Sequence, residues 1–341
     1  MQVSEIISWL INLLFYKPEV FCPIFYPGLV TILALLLFII WLERKIAAKV
    51  QLRYGPLYVT RKAGGILQLL ADLLRYMFQE PIIPKTVDKI AFIAGPVLLF
   101  ATAYVPAALL PATAEFTGLR SELSLLAVLA LLTLAPIFDI IIGWGSNNKF
   151  SLIGSMREGY IVMSYEIPMF LSTLAIAMVY GSLNIVEIVE MQSRCWGILL
   201  NPIAAATFLL VALISTARFP FEIAEAETEI VMGPYTEYSG ILYGLLMGAS
   251  YVKFYVLSML FALLFLGGWH PSITWLEKIH PAAPGLVVFI KALIIMVFGI
   301  FLRAVYPRFR VDQAIRVGWH LLFMLSMLSI AYSLAVIWLV G

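Results

Sequence analysis

The sequence predicts an all-α integral membrane protein: a bundle of eight transmembrane helices with an amphipathic helix on the cytoplasmic side. Three observations predict this class. Hydrophobic residues make up 62% of the chain and charged residues only 12%, and the mean hydropathy is +0.99. A soluble domain carries about 25% charged residues, so this composition is typical of a chain largely surrounded by lipid. Eight separate apolar stretches set the number of spans.

Each predicted span is a run of mostly apolar residues, of which about 20 are needed to cross the hydrocarbon core as a helix. The first run begins at Pro27. It is preceded by acidic and aromatic residues rather than a basic segment and is too long for the apolar part of a signal peptide, which predicts a retained helix. No linker or strong internal repeat interrupts the series, so a single transmembrane domain is expected over residues 1–341. The spans are residues 27–42, 92–112, 123–142, 158–181, 199–217, 240–266, 285–302 and 319–340.

The loops between the spans fall into two sets with very different basic content. One set holds sixteen Lys and Arg residues and comprises segments 43–91, 143–157, 218–239 and 303–318. The other holds four and comprises segments 1–26, 113–122, 182–198 and 267–284. Basic loops stay in the cytoplasm during insertion. We therefore expect a multi-pass protein of the plasma membrane with both termini outside the cytoplasm.

Segment 64–80 is too short and too polar to cross the bilayer. Its apolar residues Leu67, Leu70, Leu74 and Phe78 recur at helical spacing. This pattern predicts an amphipathic helix at the inner interface or packed on the bundle.

Ionisable residues inside a span are costly in lipid and are therefore functional candidates. They are Asp139, Glu158, Glu166, Lys253 and Lys291. The alternative for each is an internal ion pair or a side chain that reaches the span end. Glu166 and Lys253 lie deepest in their spans, which favours a functional role for these two.

Segment 218–240 is the richest in carboxylates, with Glu222, Glu225, Glu227, Glu229 and Glu237 against the single Arg218. Carboxylates crowded into a low-dielectric site cannot all be ionised, so they can serve as a proton relay or a charge-sensitive switch. A solvated acidic loop is the alternative, but the apolar residues interleaved with the glutamates argue against it. Breaks at Pro220, Gly233 and Pro234 predict non-helical backbone, which at membrane depth usually lines a cavity.

Several kinds of chemistry have no counterpart in the sequence. It shows no phosphate-binding Gly-rich loop and no nucleophile triad. Cys22 and Cys195 match no metal or redox spacing, and the three histidines His270, His280 and His320 are predicted to be interfacial or loop residues. We therefore expect no metal and no redox cofactor bound by this chain alone. The expected surroundings are the lipid bilayer and other proteins, with no nucleic acid.

Four long motifs occur in order in the predicted cytoplasmic loops. They are WLERKIAAKVQLRYGP (41–56) with GGILQLLADLLR (64–75), GWGSNNKFSLIG (143–154), RFPFEIAEAETEIVMGPYTEYSG (218–240) and LRAVYPRFRVDQAIRVGW (302–319). In residue type and order they resemble the H-type (mitochondrial subunit 1 type) membrane subunit of respiratory complex I and of related membrane-bound dehydrogenases and hydrogenases. The resemblance covers residues 41–319.

The resemblance implies a core subunit of a redox-driven ion pump, an ion-translocating oxidoreductase in which this chain is not catalytic alone. It implies soluble iron–sulfur and hydrogenase-like partners on the cytoplasmic side and further membrane partners, including antiporter-like ones. The iron–sulfur clusters would belong to those partners. A cavity for a quinone-type acceptor is expected near helix 64–80, walled by segments 43–63 and 218–240.

Residue by residue, the resemblance implies two groups of functional side chains. Those at the acceptor cavity and the docking loops would be Arg44, Arg53, Lys149 and Arg218. The carboxylates that begin the ion-coupling path would be Glu166, Glu222, Glu225, Glu227 and Glu237. We expect Lys253 to carry the path onward, and its alternative is a static pair with Asp139 or Glu158.

Three alternatives to the quinone-reducing function remain open. One comes from a departure of this sequence from the family pattern, and the other two are different classes of membrane protein. After Arg157 the chain reads Glu158-Gly159-Tyr160-Ile161, where quinone-reducing members usually read A-A-A-Q. The Arg-Glu pair is similar to ferredoxin-dependent hydrogenases and sulfur-reducing complexes that reduce no quinone. A secondary ion transporter would show paired broken helices in two inverted halves, and a structural anchor would use its carboxylates only in ion pairs.

Overall fold

The computed structural model describes residues 12–62, 64–118, 120–216, 221–224, 227–271, 278 and 280–340. Within these ranges every regular element is a helix, which confirms the all-α prediction. The α-helices are α1 (Pro18–Ile24), α2 (Leu29–Val50), α3 (Gln68–Phe78), α4 (Lys89–Leu109), α5 (Ser124–Leu132), α6 (Ala135–Gly145), α7 (Lys149–Tyr180), α8 (Ile185–Met191), α9 (Gly197–Leu200), α10 (Pro202–Ser215), α11 (Glu227–Ile230), α12 (Gly240–Phe265), α13 (Gly285–Val305), α14 (Val311–Arg316) and α15 (Phe323–Val340). Short π-helices occupy Asn12–Tyr16 and Val317–Leu322, and a 3-10 helix occupies Gly233–Tyr235.

Helical stretches long and apolar enough to cross a membrane account for seven of the eight predicted spans in the described ranges. They are Pro18–Val50, Lys89–Leu109, Ser124–Gly145, Lys149–Tyr180, Gly240–Phe265, Gly285–Val305 and Val311–Leu339. The predicted span 199–217 corresponds to α10, which is apolar but only 14 residues long. Its start is fixed by Asn201, whose side chain accepts a hydrogen bond from the Ala204 N–H.

Helix α12 lies at the centre of the bundle, with every residue from Phe254 to Phe265 buried. It packs against α4 and α13, while α7 packs against α6, α10 and α15. A helix that is apolar all around its circumference belongs inside a bundle or a membrane. The packing of α12 therefore follows directly from its sequence.

Helix α7 is the longest element, with 32 residues, or about 48 Å at the usual helical rise. This length exceeds the ~30 Å hydrocarbon core, so one end of α7 extends beyond it. Asn148 caps its first turn by accepting from the Phe150 N–H at 3.0 Å. Pro168 lies inside the helix and removes one of its backbone hydrogen bonds, because it has no N–H to donate to the Ser164 carbonyl.

The predicted amphipathic helix is α3, and its face toward the bundle combines apolar and polar residues. Leu69 is buried, and Tyr76 lies 5.8 Å, centroid to centroid, from Tyr243 on α12. The apolar stripe faces outward instead, and its members are Leu67, Leu70, Leu74 and Phe78. An outward apolar stripe on a helix held by polar contacts is suited to a lipid interface.

Contacts between loops join members of the same charge-defined set. In the basic set, Asn147 donates to the Thr86 carbonyl at 2.9 Å, and the Ile82 N–H donates to Ser239 at 2.9 Å. We call this end of the bundle the basic end.

Loops of the other set meet at the opposite end. There Thr113 donates to the Pro281 carbonyl at 3.2 Å, and Gln192 accepts from the Gly267 N–H at 2.9 Å. The loops that the basic residues assign to one set therefore also contact one another at one end of the bundle.

Gly154 sets the distance between α7 and the 3-10 helix. A Cβ at this position would lie 2.7 Å from Pro234 Cδ and 2.8 Å from Gly233 Cα. We expect Gly154→Ala to destabilise the subunit by about 2 kcal/mol, because backbone would have to move to relieve the overlap. Thermal unfolding in detergent measures this loss.

Gly244→Ala is the matched control for Gly154→Ala. A Cβ there meets Tyr76 at 3.5 Å, which is ordinary contact. Equal melting temperatures for the two variants would contradict the close packing assigned to Gly154.

Candidate functional site

An ion-pair cluster at the basic end joins α2, α13 and the described part of segment 218–240. Arg303 pairs with Glu43 and with Glu222, the latter at 3.3 Å, and Arg308 approaches Glu222 at 3.4 Å. The Tyr251 hydroxyl donates to Glu43 Oε2 at 2.9 Å. We call Glu43, Glu222, Arg303 and Arg308 the Glu43 cluster.

Glu43 is buried because it continues the buried face of α2. The residues below it on that face are Ile32, Leu35 and Ile39, at helical spacings of three and four. A carboxylate at the next position of such a stripe must find a cation or accept hydrogen bonds, because burying it alone is costly. Arg303 and Tyr251 meet that requirement.

A groove of about 480 Å³ opens beside the Glu43 cluster. Its polar lining comes mainly from the end of α2 and the turn that follows, where Arg44 and Arg53 lie. Its lining residues are Ile40, Glu43, Arg44, Ala47, Gln51, Arg53, Tyr251, Ile300, Arg303, Ala304 and Tyr306. We call it the Arg53 groove. Its volume is in the range of sites for small organic ligands.

The Arg53 groove differs from the predicted cavity in its second wall. Residues of segment 43–63 line one side of the groove, and Arg44 links this segment to helix α3 through an ion pair with Asp72 at 2.8 Å. Among the described lining residues, the second wall comes from Tyr251, Arg303 and Tyr306 rather than from 218–240. The cause is the Glu43 cluster, since Arg303 lies between the groove and Glu222.

The start of α7 holds the other described part of segment 218–240. Asn148 Nδ2 donates to Glu237 Oε1 at 2.6 Å, Ser151 donates to the Pro234 carbonyl at 2.9 Å, and Arg157 pairs with Glu229 at 2.5 Å. The pair of Arg157 and Glu229 is partly exposed.

Tyr238 anchors the end of the same segment. Its hydroxyl donates to the Ile142 carbonyl at 3.2 Å, and its ring stacks on Phe92 with centroids 4.2 Å apart. Burial raises the pKa of Tyr238, so the hydroxyl stays protonated and keeps this donor role.

Four ionisable side chains from the predicted spans come together inside the bundle. Asp139, Glu158 and Lys253 line one small cavity, and Glu166 lies within electrostatic range of Lys253. The Lys253 ammonium is 5.9 Å from the centre of the Tyr165 ring. Glu166 is near the middle of α7, about 26 Å along the helix from Lys149.

Lys291, the fifth ionisable residue predicted in a span, is held by backbone at the opposite end. Its ammonium donates to the carbonyls of Leu266, Gly268 and His270 at 2.7, 2.7 and 2.5 Å. It also lies 5.0 Å from the centre of the Trp196 ring. Burial and the Lys291 charge lower the pKa of His270, which keeps that imidazole neutral. These contacts give Lys291 a structural role.

The predicted site residues therefore fall into separate groups. Glu166 and Lys253 lie in the bundle, Glu222 in the Glu43 cluster, and Glu237 at the start of α7. Arg44 and Arg53 share the groove, whereas Lys149 is exposed at the first residue of α7. Arg218 and Glu225 lie outside the described residues, as does the side chain of Glu227.

Sequence reasoning did not single out Glu43, Arg303 or Arg308 as site residues. Glu43 sits one position beyond the predicted end of the first span, so it was counted with the solvated loop. Its signal was available in the spacing of Ile32, Leu35 and Ile39, which places residue 43 on the buried face. The two arginines carried no comparable local signal.

Comparisons with known proteins agree with the resemblance. Residues 25–334 match the family described as NADH dehydrogenase. The chain is 40% identical over 307 residues to the H subunit of NADH-quinone oxidoreductase from Geobacillus sp. (strain WCH70), covering 89% of this chain and 90% of that protein. It is 38% and 39% identical over 289 residues to proteins of the same name from Bacillus cytotoxicus and Bacillus mycoides, covering 84% of this chain and 85% of each of them.

Proposed function

This chain belongs to the NADH dehydrogenase family as a membrane subunit of a complex I-type oxidoreductase, and we propose that it couples quinone reduction to ion movement. In this proposal it anchors the soluble electron-transfer arm, forms part of the acceptor cavity and begins the ion path. The ferredoxin-dependent alternative and the secondary transporter are not favoured, since the relatives described above are named as subunits of NADH-quinone oxidoreductase.

The Arg53 groove is the observation that carries the acceptor part of the proposal. Arg44, Arg53 and Arg303 offer donors to a polar quinone head, while Ile40, Ile300 and the small alanines offer an apolar surface for its tail. The groove also lies beside α3, whose outward apolar stripe suits the lipid interface. A lipid-soluble acceptor could therefore reach it from the bilayer.

The basic end supports the docking part of the proposal. It carries most of the Lys and Arg residues and exposes the large side chains Leu52, Tyr54 and Tyr58. Exposed aromatic and apolar side chains among basic residues suit a protein partner. The proposed partners are soluble iron–sulfur and hydrogenase-like subunits there, together with other membrane subunits, including antiporter-like ones, in the plasma membrane.

The coupling part of the proposal rests on carboxylates at increasing depth. Glu237 and Glu222 lie at the basic end, and Glu166 and Lys253 lie within the bundle. We propose that Glu225 and Glu227, which lie between Glu222 and Glu237 in the sequence, join the same path. In this proposal, a charge change at the groove moves a proton inward along these carboxylates.

Replacing Arg53 tests the acceptor groove. We expect Arg53→Ala to raise the KM for a short-chain quinone about tenfold, because a charged hydrogen-bond donor is worth about 1.5 kcal/mol or more. The kcat should change much less. Lys62→Ala is the control, since it removes the same charge from an exposed position of the same segment. An unchanged KM in Arg53→Ala would contradict the groove assignment.

Cysteine labelling tests the proposed orientation. In a background without Cys22 and Cys195, Tyr54→Cys and Arg194→Cys place thiols on exposed residues of the two loop sets. A membrane-impermeant maleimide should label Tyr54→Cys only in inside-out vesicles and Arg194→Cys only in right-side-out vesicles. The reverse pattern would overturn the orientation, including both termini outside the cytoplasm.

A further inference from the structure

A small polar cavity lies inside the bundle, apart from the groove at the basic end. It is about 30 Å³ in volume and is lined by residues of α4, α5, α6, α7, α10 and α12. Its charged residues are Asp139, Glu158 and Lys253, and its hydroxyl residues include Thr102, Ser215, Thr216 and Ser250. A volume of this size holds one or two water molecules. We call it the Lys253 cavity.

We propose that the Lys253 cavity is a proton-binding station in which Asp139 and Glu158 hold one exchangeable proton between them. This inference rests on the proposed function, because it adds two carboxyl groups to the same ion path. It turns the expected static pair of Lys253 with either carboxylate into a site that changes its charge. The proposal adds Asp139 and Glu158 to the residues of the ion path.

The charge of the cavity supports an exchangeable cation. Two ionised carboxylates and one ammonium carry a net charge of −1, and one bound proton makes the site neutral. A net charge buried among apolar helices is costly, whereas Lys253 reduces that cost by neutralising one carboxylate. The station thus alternates between charges of −1 and 0 as a single proton arrives and leaves.

The chemistry of the lining favours a proton over a metal cation. No group of three or more His, Cys, Asp or Glu suited to a metal occurs in the described part of the chain. The Lys253 ammonium shares the cavity, and it would repel a second cation beside the carboxylates. Thr102 and Ser215 donate to carbonyls of their own helices, so their lone pairs remain free to orient a water molecule.

Lys253 also connects the station to the predicted path. It lies within electrostatic range of Glu166 and over the Tyr165 ring. Glu158 and Glu166 are eight residues apart on α7, or about 12 Å, with Lys253 facing both. The other titratable group on the lining is Tyr235 of the 3-10 helix. A proton on Glu166 therefore changes the field at Lys253, and through it the affinity of the station.

The test uses the assembled complex in vesicles with the double substitution Asp139→Asn and Glu158→Gln. We expect proton movement per electron to be lost while quinone reduction in uncoupled vesicles is retained. In redox-induced infrared difference spectra, the carbonyl band of a protonated carboxyl group from this site should disappear. Glu122→Gln, an exposed residue at the opposite end, should change neither quantity.

Lys253→Met supplies a second, independent measurement. Without the ammonium no adjacent positive charge stabilises the ionised carboxylates, so the protonated-carboxyl band should persist to higher pH than in the unmodified complex. A band with unchanged pH dependence would overturn the proposal, even if the double variant failed to assemble.

The outcomes separate this inference from the proposed function. If Glu166→Gln loses proton movement while the double variant keeps it, the station is wrong and the path stands. If both variants move protons at the normal ratio, the proposed station and the proposed ion path are both wrong. Loss in both, together with loss of the infrared band, supports the station.

Discussion

Replacing Glu166 with Gln is expected to abolish ion movement while the complex still assembles. Glu166 is partly buried near the middle of α7, within electrostatic range of Lys253. Glutamine keeps the shape of the side chain but cannot carry a proton. Removing a group that transfers a proton typically slows that transfer a hundredfold or more, so the number of protons moved per electron should fall close to zero. Simultaneous measurement of quinone reduction and proton movement in vesicles gives this ratio.

Glu187→Gln is the matched control for Glu166→Gln. Glu187 lies exposed at the opposite end, where it accepts hydrogen bonds from Ser182 and Asn184. The same chemical change there should leave the ratio intact. A normal number of protons moved per electron in Glu166→Gln would show that this carboxylate has only a structural role.

The second large effect is on stability and concerns the Glu43 cluster. Arg303→Met should destabilise the subunit by about 3 kcal/mol, because it leaves the Glu43 carboxylate buried without its cation. The Glu43 side chain is only 7% exposed. We expect a clear fall in the melting temperature in detergent, since breaking a buried pair costs far more than losing a surface pair.

Two further variants test the physical reason for this loss. Arg310→Met removes an arginine whose pair with Asp312, at 3.9 Å, is exposed on both sides, and such pairs contribute at most about 1 kcal/mol. The double variant Arg303→Met with Glu43→Gln should recover part of the stability, because it removes the stranded charge. No recovery would show that packing, and not charge, explains the loss.

Composition and the series of apolar stretches together predicted the fold class. Apolar stretches gave the main helices because a span must satisfy its backbone hydrogen bonds within the helix. The two loop sets followed from the alternation of the spans, and the Lys and Arg count predicted which set faces the cytoplasm. Boundaries were less accurate, since α7 begins at Lys149 rather than at 158: Asn148 caps the helix well before the apolar run begins.

The site was less predictable than the fold. The depth of Glu166 and Lys253 could be predicted from their place in apolar runs. The ion pair of Glu222 with Arg303 and the hydrogen bond that Glu237 accepts from Asn148 could not, because these partners lie 81 and 89 residues away in sequence. Long-range pairing depends on how helices pack, which local patterns do not specify. The sequence offered a pair of Lys253 with Asp139 or Glu158 as an alternative, but local patterns did not predict the cavity that all three residues line.

The central claim is that this subunit couples quinone reduction to ion movement. It is tested most directly by purifying the complex through a tag on this chain, sealing it in vesicles and measuring proton movement during NADH oxidation by a short-chain quinone. We predict quinone-dependent proton movement that is abolished by an uncoupler. Recovery of an active complex whose NADH oxidation by quinone moves no ions would contradict the account.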